Sequence, residues 1–225
     1  DGASVCAGCA MRGVEAKVKA AVERHGMFER GQRVGVALSG GKDSLVLLHI
    51  TARLKPALGI ESLVAITVDE GIKGYRDEAM ELARRAASML HVEHRLVGFR
   101  ELWGSTLDDA VSLGRVPNPC STCGVLRRRA LDMAARTEGC DVLATGHSMD
   151  DNAETILMNI LRGEPQRLLR TDAKTAMLEG YVPRVKPLAY LTEREVVLYA
   201  YLVGVDFQAE PCPYRGGALR LDILK

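Results

Sequence analysis

In "PCSTCGVLRRRALD", Cys120 and Cys123 are separated by two residues, and Arg127, Arg128 and Arg129 follow directly. Thiols at this spacing form a metal half-site or a redox pair. A metal needs more ligands, and "EPCPYRGG" offers a third in Cys212, with prolines on both sides to fix its backbone. No His or Cys near Cys212 completes a set of four. Three thiolates with one open position mark a reactive centre, because structural zinc sites are closed by four protein ligands. A 4Fe-4S cluster on three cysteines likewise leaves one iron open to an outside ligand such as sulfide. Spacing alone does not choose between zinc and cluster. Cys6 and Cys9 make a second C-x-x-C, which reads as half of a zinc ribbon binding Zn2+ with ligands from outside the chain. Cys140, next to an apolar strand, reads as core.

A second chemical feature is "SGGKDS", Ser39 to Ser44, between an apolar strand and a helix. Gly40 and Gly41 permit a turn that side chains would block. The amides of Gly40 through Ser44 then face an anion at the positive helix end, joined by Lys42 and the hydroxyls of Ser39 and Ser44. It is not a Walker A loop, because Asp43 follows Lys42. The plain alternative is a strand-to-helix turn whose Asp43 complements the helix dipole. A further turn, "GHSMDDNAET", runs from Gly146 to Asp151 and sets Asp150 and Asp151 at a helix start. Such carboxylates cap the helix, or they hold Mg2+ on phosphates and orient a reacting carbonyl. His147 is expected to hydrogen-bond locally.

These features need a scaffold. The chain has 225 residues, 47% apolar and 26% charged, enough to bury a core. No apolar run approaches the ~20 residues of a membrane span, and no secretory signal is visible. Six cysteines with two C-x-x-C pairs suit metal or redox chemistry in a reducing cytoplasm better than a disulfide scaffold. Without an initiator methionine, the chain is expected to lack its true start. Short β-branched runs alternate with helical stretches, which argues for an α/β fold with a mostly parallel sheet and helices on both faces. Ligands in such folds sit beyond the carboxyl ends of the strands. The loops 39–44, 69–74 and 146–151 all fall there. Residues 1–30 read as an N-terminal segment, 31–210 as the nucleotide domain, and 211–225 as a tail carrying Cys212. The helix after the fourth strand is expected to bury Ala153, Ile156, Leu157, Ile160 and Leu161, which share one face. The stretch between Val97 and the cysteines is expected to be irregular.

Net charge is only +1, so any nucleic-acid site must be a local patch. Two segments qualify. No acidic residue lies between Ala110 and Leu131, and Arg162 to Lys186 holds six basic residues, Arg167 and Arg170 among them, against three acidic ones. Consecutive arginines point in different directions on a helix, so they cannot share one task. Aromatics at 4% argue for backbone and shape recognition rather than a stacking platform.

"SGGKDS" resembles the PP-loop of the ATP pyrophosphatase superfamily, whose members cleave ATP between the α and β phosphates. The resemblance implies a doubly wound five-stranded sheet, with adenine against the main chain near Ala37, Leu38 and Val68. Together with "PCSTCGVLRRRALD", "TGHSMDDNAETILMNILRGE", "RVKPLAYLTEREVVLYAY" and Cys212, the chain resembles the tRNA 2-thiouridine synthetases from about Arg33 to Gly217. The resemblance implies Cys120, Cys123 and Cys212 as cluster ligands, and Ala37, Leu38, Ser39, Asp43, Val68, Gly146 and Ile156 as nucleotide contacts. Arg127 and Asp151 would line the reaction centre. Related thiolases carry lysine at the position of Arg127. Arginine stays protonated and cannot serve as a base, so its expected role is electrostatic. The implied reaction adenylates the 2-carbonyl of a tRNA uridine and replaces its oxygen with sulfur. The donor is free sulfide or a ubiquitin-like carrier, and the implied assembly is a homodimer or a heterodimer with a related subunit. Two other readings stand beside it: a PP-loop synthetase of another base or small molecule with structural zinc, and a nucleotide or metal sensor without turnover.

Overall fold

The computed structural model describes residues 5–164, 166, 168, 172–174 and 180–215. Its apolar runs form β1 (Arg33–Ala37), β2 (Ser62–Asp69), β3 (Glu93–Gly98), β4 (Val142–Ala144) and β5 (Arg184–Val185). They lie in the order β3-β2-β1-β4-β5, and every pairing is parallel. Between them run α1 (Ala7–His25), α2 (Lys42–Leu54), α3 (Arg76–Met89), α4 (Phe99–Trp103), α5 (Leu107–Ser112), α6 (Pro119–Thr137), α7 (Met149–Leu161) and α8 (Glu193–Val203).

A parallel sheet must be covered on both faces, and two cores do so. On one face, Val14 and Val18 of α1 pack with Leu45 and Leu48 of α2 and Val196 and Tyr199 of α8. On the other, Phe99 and Leu107 pack with Ala130 and Ala134 of α6. Because β1 lies between β2 and β4, the winding reverses there, and a crevice opens past the ends of β1 and β4. The loops 39–44 and 146–151 leave those two strands. Among the described residues, no helix is long and apolar enough to cross a membrane.

Two expectations need correction. The stretch after β3 is not irregular: it holds α4 and α5, the latter opened by a capping box between Thr106 and Asp109. Helices of five and six residues are too short to show a periodicity. The second concerns α7. Ala153, Ile156, Leu157, Ile160 and Leu161 do share a face, but that face is exposed. Ser148 and Asn159 are buried instead, with Asp151, Asn152 and Thr155 half-buried between them. The rotation of α7 is set at its first turn, where Met149 N donates to Leu191 O and Asp150 accepts from Glu193 N. Those bonds turn the polar stripe inward.

Candidate active site

The phosphate loop is held in shape by its own hydroxyls. Ser44 Oγ donates to Gly41 O at 2.8 Å and accepts from Ser39 N at 3.1 Å. Ser39 Oγ accepts from Gly41 N at 3.3 Å and lies 3.1 Å from Ser44 Oγ. Gly41 caps α2 without a side chain, so no capping side chain occupies the place an anion would take before the first-turn amides. Gly40 has φ +86°, and a Cβ there would come within 2.2 Å of Ala79 O. A Cβ on Gly146 would lie 2.9 Å from the carbonyl of Asp43, so the loop after β4 rests directly on the phosphate loop. No residue but glycine fits either approach.

The third loop joins through two residues that sequence reasoning missed. Arg76, 5% exposed, donates Nη1 to Ser39 O at 3.0 Å and Nη2 to Val68 O at 2.7 Å. Its Nε lies 2.7 Å from Oε2 of Glu70, itself 3% exposed. Arg76 thus fastens the phosphate loop to the end of β2. The other oxygen of Glu70 lies 3.5 Å from Arg127 Nη1, so one buried carboxylate serves two guanidinium groups. The only sequence signal was an acidic residue after an apolar strand, in a loop already marked for inspection.

Lys42 Nζ lies 2.9 Å from Oδ1 of Asp43 and 2.6 Å from Oε1 of Glu193 at the start of α8. Burial works to lower the pKa of Lys42, but the bonds to Glu193 and Asp43 outweigh it and the group is held above its ordinary value. Burial raises the pKa of Asp43, with Lys42 opposing and the charges of Glu193 and Asp151 adding. Asp151 does cap α7, since its Oδ2 accepts from Ser148 N at 2.9 Å. Its charge also acts on Asp43 and Lys186. Asp150 accepts from Glu193 N at 2.7 Å and ties α7 to α8. Among the other expected nucleotide contacts, Leu38 and Val68 are buried and Ala37 is half-buried, all at strand ends. Ile156 stands on the exposed face of α7. His147 does bond locally, with Nδ1 3.0 Å from Thr145 Oγ1.

The cysteines converge beside this loop. Asn118 caps α6 by accepting from Ser121 N at 3.0 Å, and Pro119 begins the helix, which sets Cys120 and Cys123 on its first two turns. After α8 the chain returns across the strand ends, where Gln208 N donates to Gly40 O at 3.2 Å. It then carries Cys212 and Tyr214 against the same cluster as Cys123. Cys120 Sγ donates to Tyr214 O, and Tyr214 Oη donates to Asp108 Oδ1 at 2.7 Å. Burial, then the nearby Cys212, lifts the pKa of Cys120. Burial, then the charge of Glu70, pushes Cys123 up to about 11 while Arg127 pulls the other way. Among the described residues, no three His, Cys, Asp or Glu side chains stand close enough to hold a single metal ion. A four-iron cluster takes its thiolates on different irons, which needs wider spacing. Cys6 caps α1, its Sγ accepting from Cys9 N at 3.4 Å, and both cysteines are exposed. Cys140 is buried core, its thiol raised to about 11 by burial.

The arginines diverge as their helical positions require. Arg127 turns to Glu70, and Arg129 lies 5.6 Å over the ring of Tyr181, while the main-chain oxygen of Arg128 accepts from Arg184 Nη2 at 2.7 Å. Tyr181 is 48% exposed, so this pair stands at the surface beside α6. Arg167 and Arg170 lie outside the described residues.

A family model described as a PP-loop domain matches residues 11–215. Cytoplasmic tRNA 2-thiolation protein 1 of Xenopus laevis is 41% identical over 221 residues, which is 97% of this chain and 64% of that protein. Its namesake from Drosophila ananassae is 42% identical over 223 residues, again covering 64% of its length. The chain therefore spans slightly less than two thirds of these relatives. Among solved structures, the U34-tRNA thiolase NcsA from Methanococcus maripaludis with its 4Fe-4S cluster is 33% identical, with a TM-score of 0.86. That match covers 99% of this chain and 72% of the other. The NH3-dependent NAD synthetase from Campylobacter jejuni, at 15% identity and a TM-score of 0.53, shares the fold alone.

Proposed function

This chain belongs to the PP-loop family, and on that premise we propose that it is a cytoplasmic tRNA thiolase that uses ATP to exchange a uridine 2-oxygen for sulfur. The observation that carries the reading is the path after α8, which touches the phosphate loop at Gly40 and then delivers Cys212 to Cys120 and Cys123. A nucleotide loop and a three-thiol centre then share one crevice. The likeness to a U34-tRNA thiolase supports the wobble uridine as the target.

In this reading the amides of Gly40 to Ser44 and the Lys42 ammonium hold the triphosphate, and Asp43 and Asp151 would hold Mg2+ to offset its charge. The uridine 2-carbonyl oxygen attacks the α phosphorus and pyrophosphate leaves. Arg127, fixed by Glu70, offsets the negative charge that builds on that phosphate. Sulfide then attacks C2, and AMP departs with the former carbonyl oxygen. A 4Fe-4S cluster on Cys120, Cys123 and Cys212 would supply an open iron to bind sulfide. The exposed Arg129 and Tyr181 beside α6 meet the RNA, the guanidinium on phosphate and the ring on an unstacked base.

The test is mass spectrometry of nucleosides from tRNA incubated anaerobically with reconstituted protein, ATP and sulfide. The expected product is 2-thiouridine, with AMP and pyrophosphate released only when tRNA is present. Release of AMP with no thiolated nucleoside would mean that the family chemistry acts on another acceptor.

Two variants resolve the roles. Asp151→Ala is expected to bind ATP normally and to lose roughly 100-fold or more in AMP formation. If turnover persists while stability falls by about 1 kcal/mol, the carboxylate only caps α7. Arg129→Gln should weaken tRNA binding and lower the log–log salt slope by about one, with ATP affinity unchanged. An unchanged slope would remove Arg129 from the RNA surface.

A further inference from the structure

We infer that Glu193 sets the affinity for nucleotide by holding Lys42 as a stand-in for phosphate, so that the triphosphate binds by exchange with this carboxylate. The inference rests on the ATP reading and adds a residue to it. Three features of the site carry it. Glu193 belongs to α8, about 150 residues after the phosphate loop, yet its Oε1 reaches Lys42 Nζ at 2.6 Å. Its main chain is fixed independently, because Glu193 N donates to Asp150 and the turn is closed by the capping box of Thr192 and Glu195. Only the side chain must therefore move when an anion arrives. Glu193 is also the surplus charge. Asp43 already pairs with Lys42 at 2.9 Å, so two carboxylates hold one ammonium. A polyphosphate can take the Lys42 ammonium only by displacing the Glu193 carboxylate from it. The free energy of the Glu193–Lys42 pair is given up in that exchange, which lowers the affinity for the incoming anion.

Glu193 is partly exposed, so the pair is screened and the expected effect is modest. Glu193→Gln should bind α,β-methylene ATP, which resists cleavage between those phosphates, about two- to fivefold more tightly than the wild type. Glu193→Asp keeps the charge and should stay near wild type. Lys42→Ala should bind weakly, and adding Glu193→Gln to it should give no further gain, because the effect acts through Lys42. Unchanged or weaker binding by Glu193→Gln would overturn the inference, as would equal tightening in the Lys42→Ala background. A wild type that fails to bind the analogue is a different result: it removes the ATP reading, and this inference with it.

Discussion

Replacing Cys212 by serine is expected to reduce iron and labile sulfide to background after anaerobic reconstitution and to abolish thiolation. Cys212 stands outside any regular element, and prolines at 211 and 213 hold it. Only the return of the chain across Gly40 and Tyr75 brings it to Cys120 and Cys123. Binding of the uncleavable ATP analogue should persist, because Ser39 to Ser44 shape their loop with their own hydroxyls. A cysteine that merely packs predicts the reverse: full iron, full activity and at most a modest loss of stability. A redox partner predicts a third pattern, in which oxidation yields a disulfide from Cys212 to Cys120 or Cys123 in a chain that binds no iron. Iron and sulfide per chain, measured in the wild type and in Cys212→Ser, separate these outcomes. Full iron in the variant would end the cluster model.

Glu70→Ala should destabilise the fold by about 3 kcal/mol, because it leaves the Arg76 guanidinium buried without its carboxylate. For a domain of this size that corresponds to a melting temperature lower by roughly 6 to 12 °C. The loss should extend to function. Arg76 also holds Ser39 O and Val68 O, and Arg127 depends on the other oxygen of Glu70. Weaker binding of the ATP analogue should therefore accompany the lower melting temperature. Replacing Arg76 by methionine in the same chain removes the stranded charge but leaves two carbonyls unpaired, so recovery should be partial at most. Calorimetry of the single and double variants checks both statements. A loss below about 1 kcal/mol in Glu70→Ala would show that water compensates the arginine and that the fastening is dispensable.

The sequence by itself determined what a few adjacent residues control. The phosphate loop is legible because the turn between Ser39 and Ser44 depends on two glycines and two hydroxyls within six positions. The strands β1, β2 and β4 were legible because both of their faces are buried, so their apolar runs stand out. The start of α6 rests on equally local chemistry, with Asn118 as its cap and Pro119 in its first turn. The period of α7 was legible too, but not its rotation. Apolar spacing says that Ile156, Leu157, Ile160 and Leu161 share a face. Bonds from Met149 and Asp150 to the start of α8 decide that this face turns outward. Glu70, Arg76 and Glu193 belong to the same class. Each reaches a partner on another strand end or helix, and those ends meet only because the order β3-β2-β1-β4-β5 places them around one crevice. Strand order follows from covering the whole sheet, a property of the assembled chain that no short segment carries. Local backbone preference therefore wrote the loop and the helix start, while the burial of both sheet faces chose the charges that surround them.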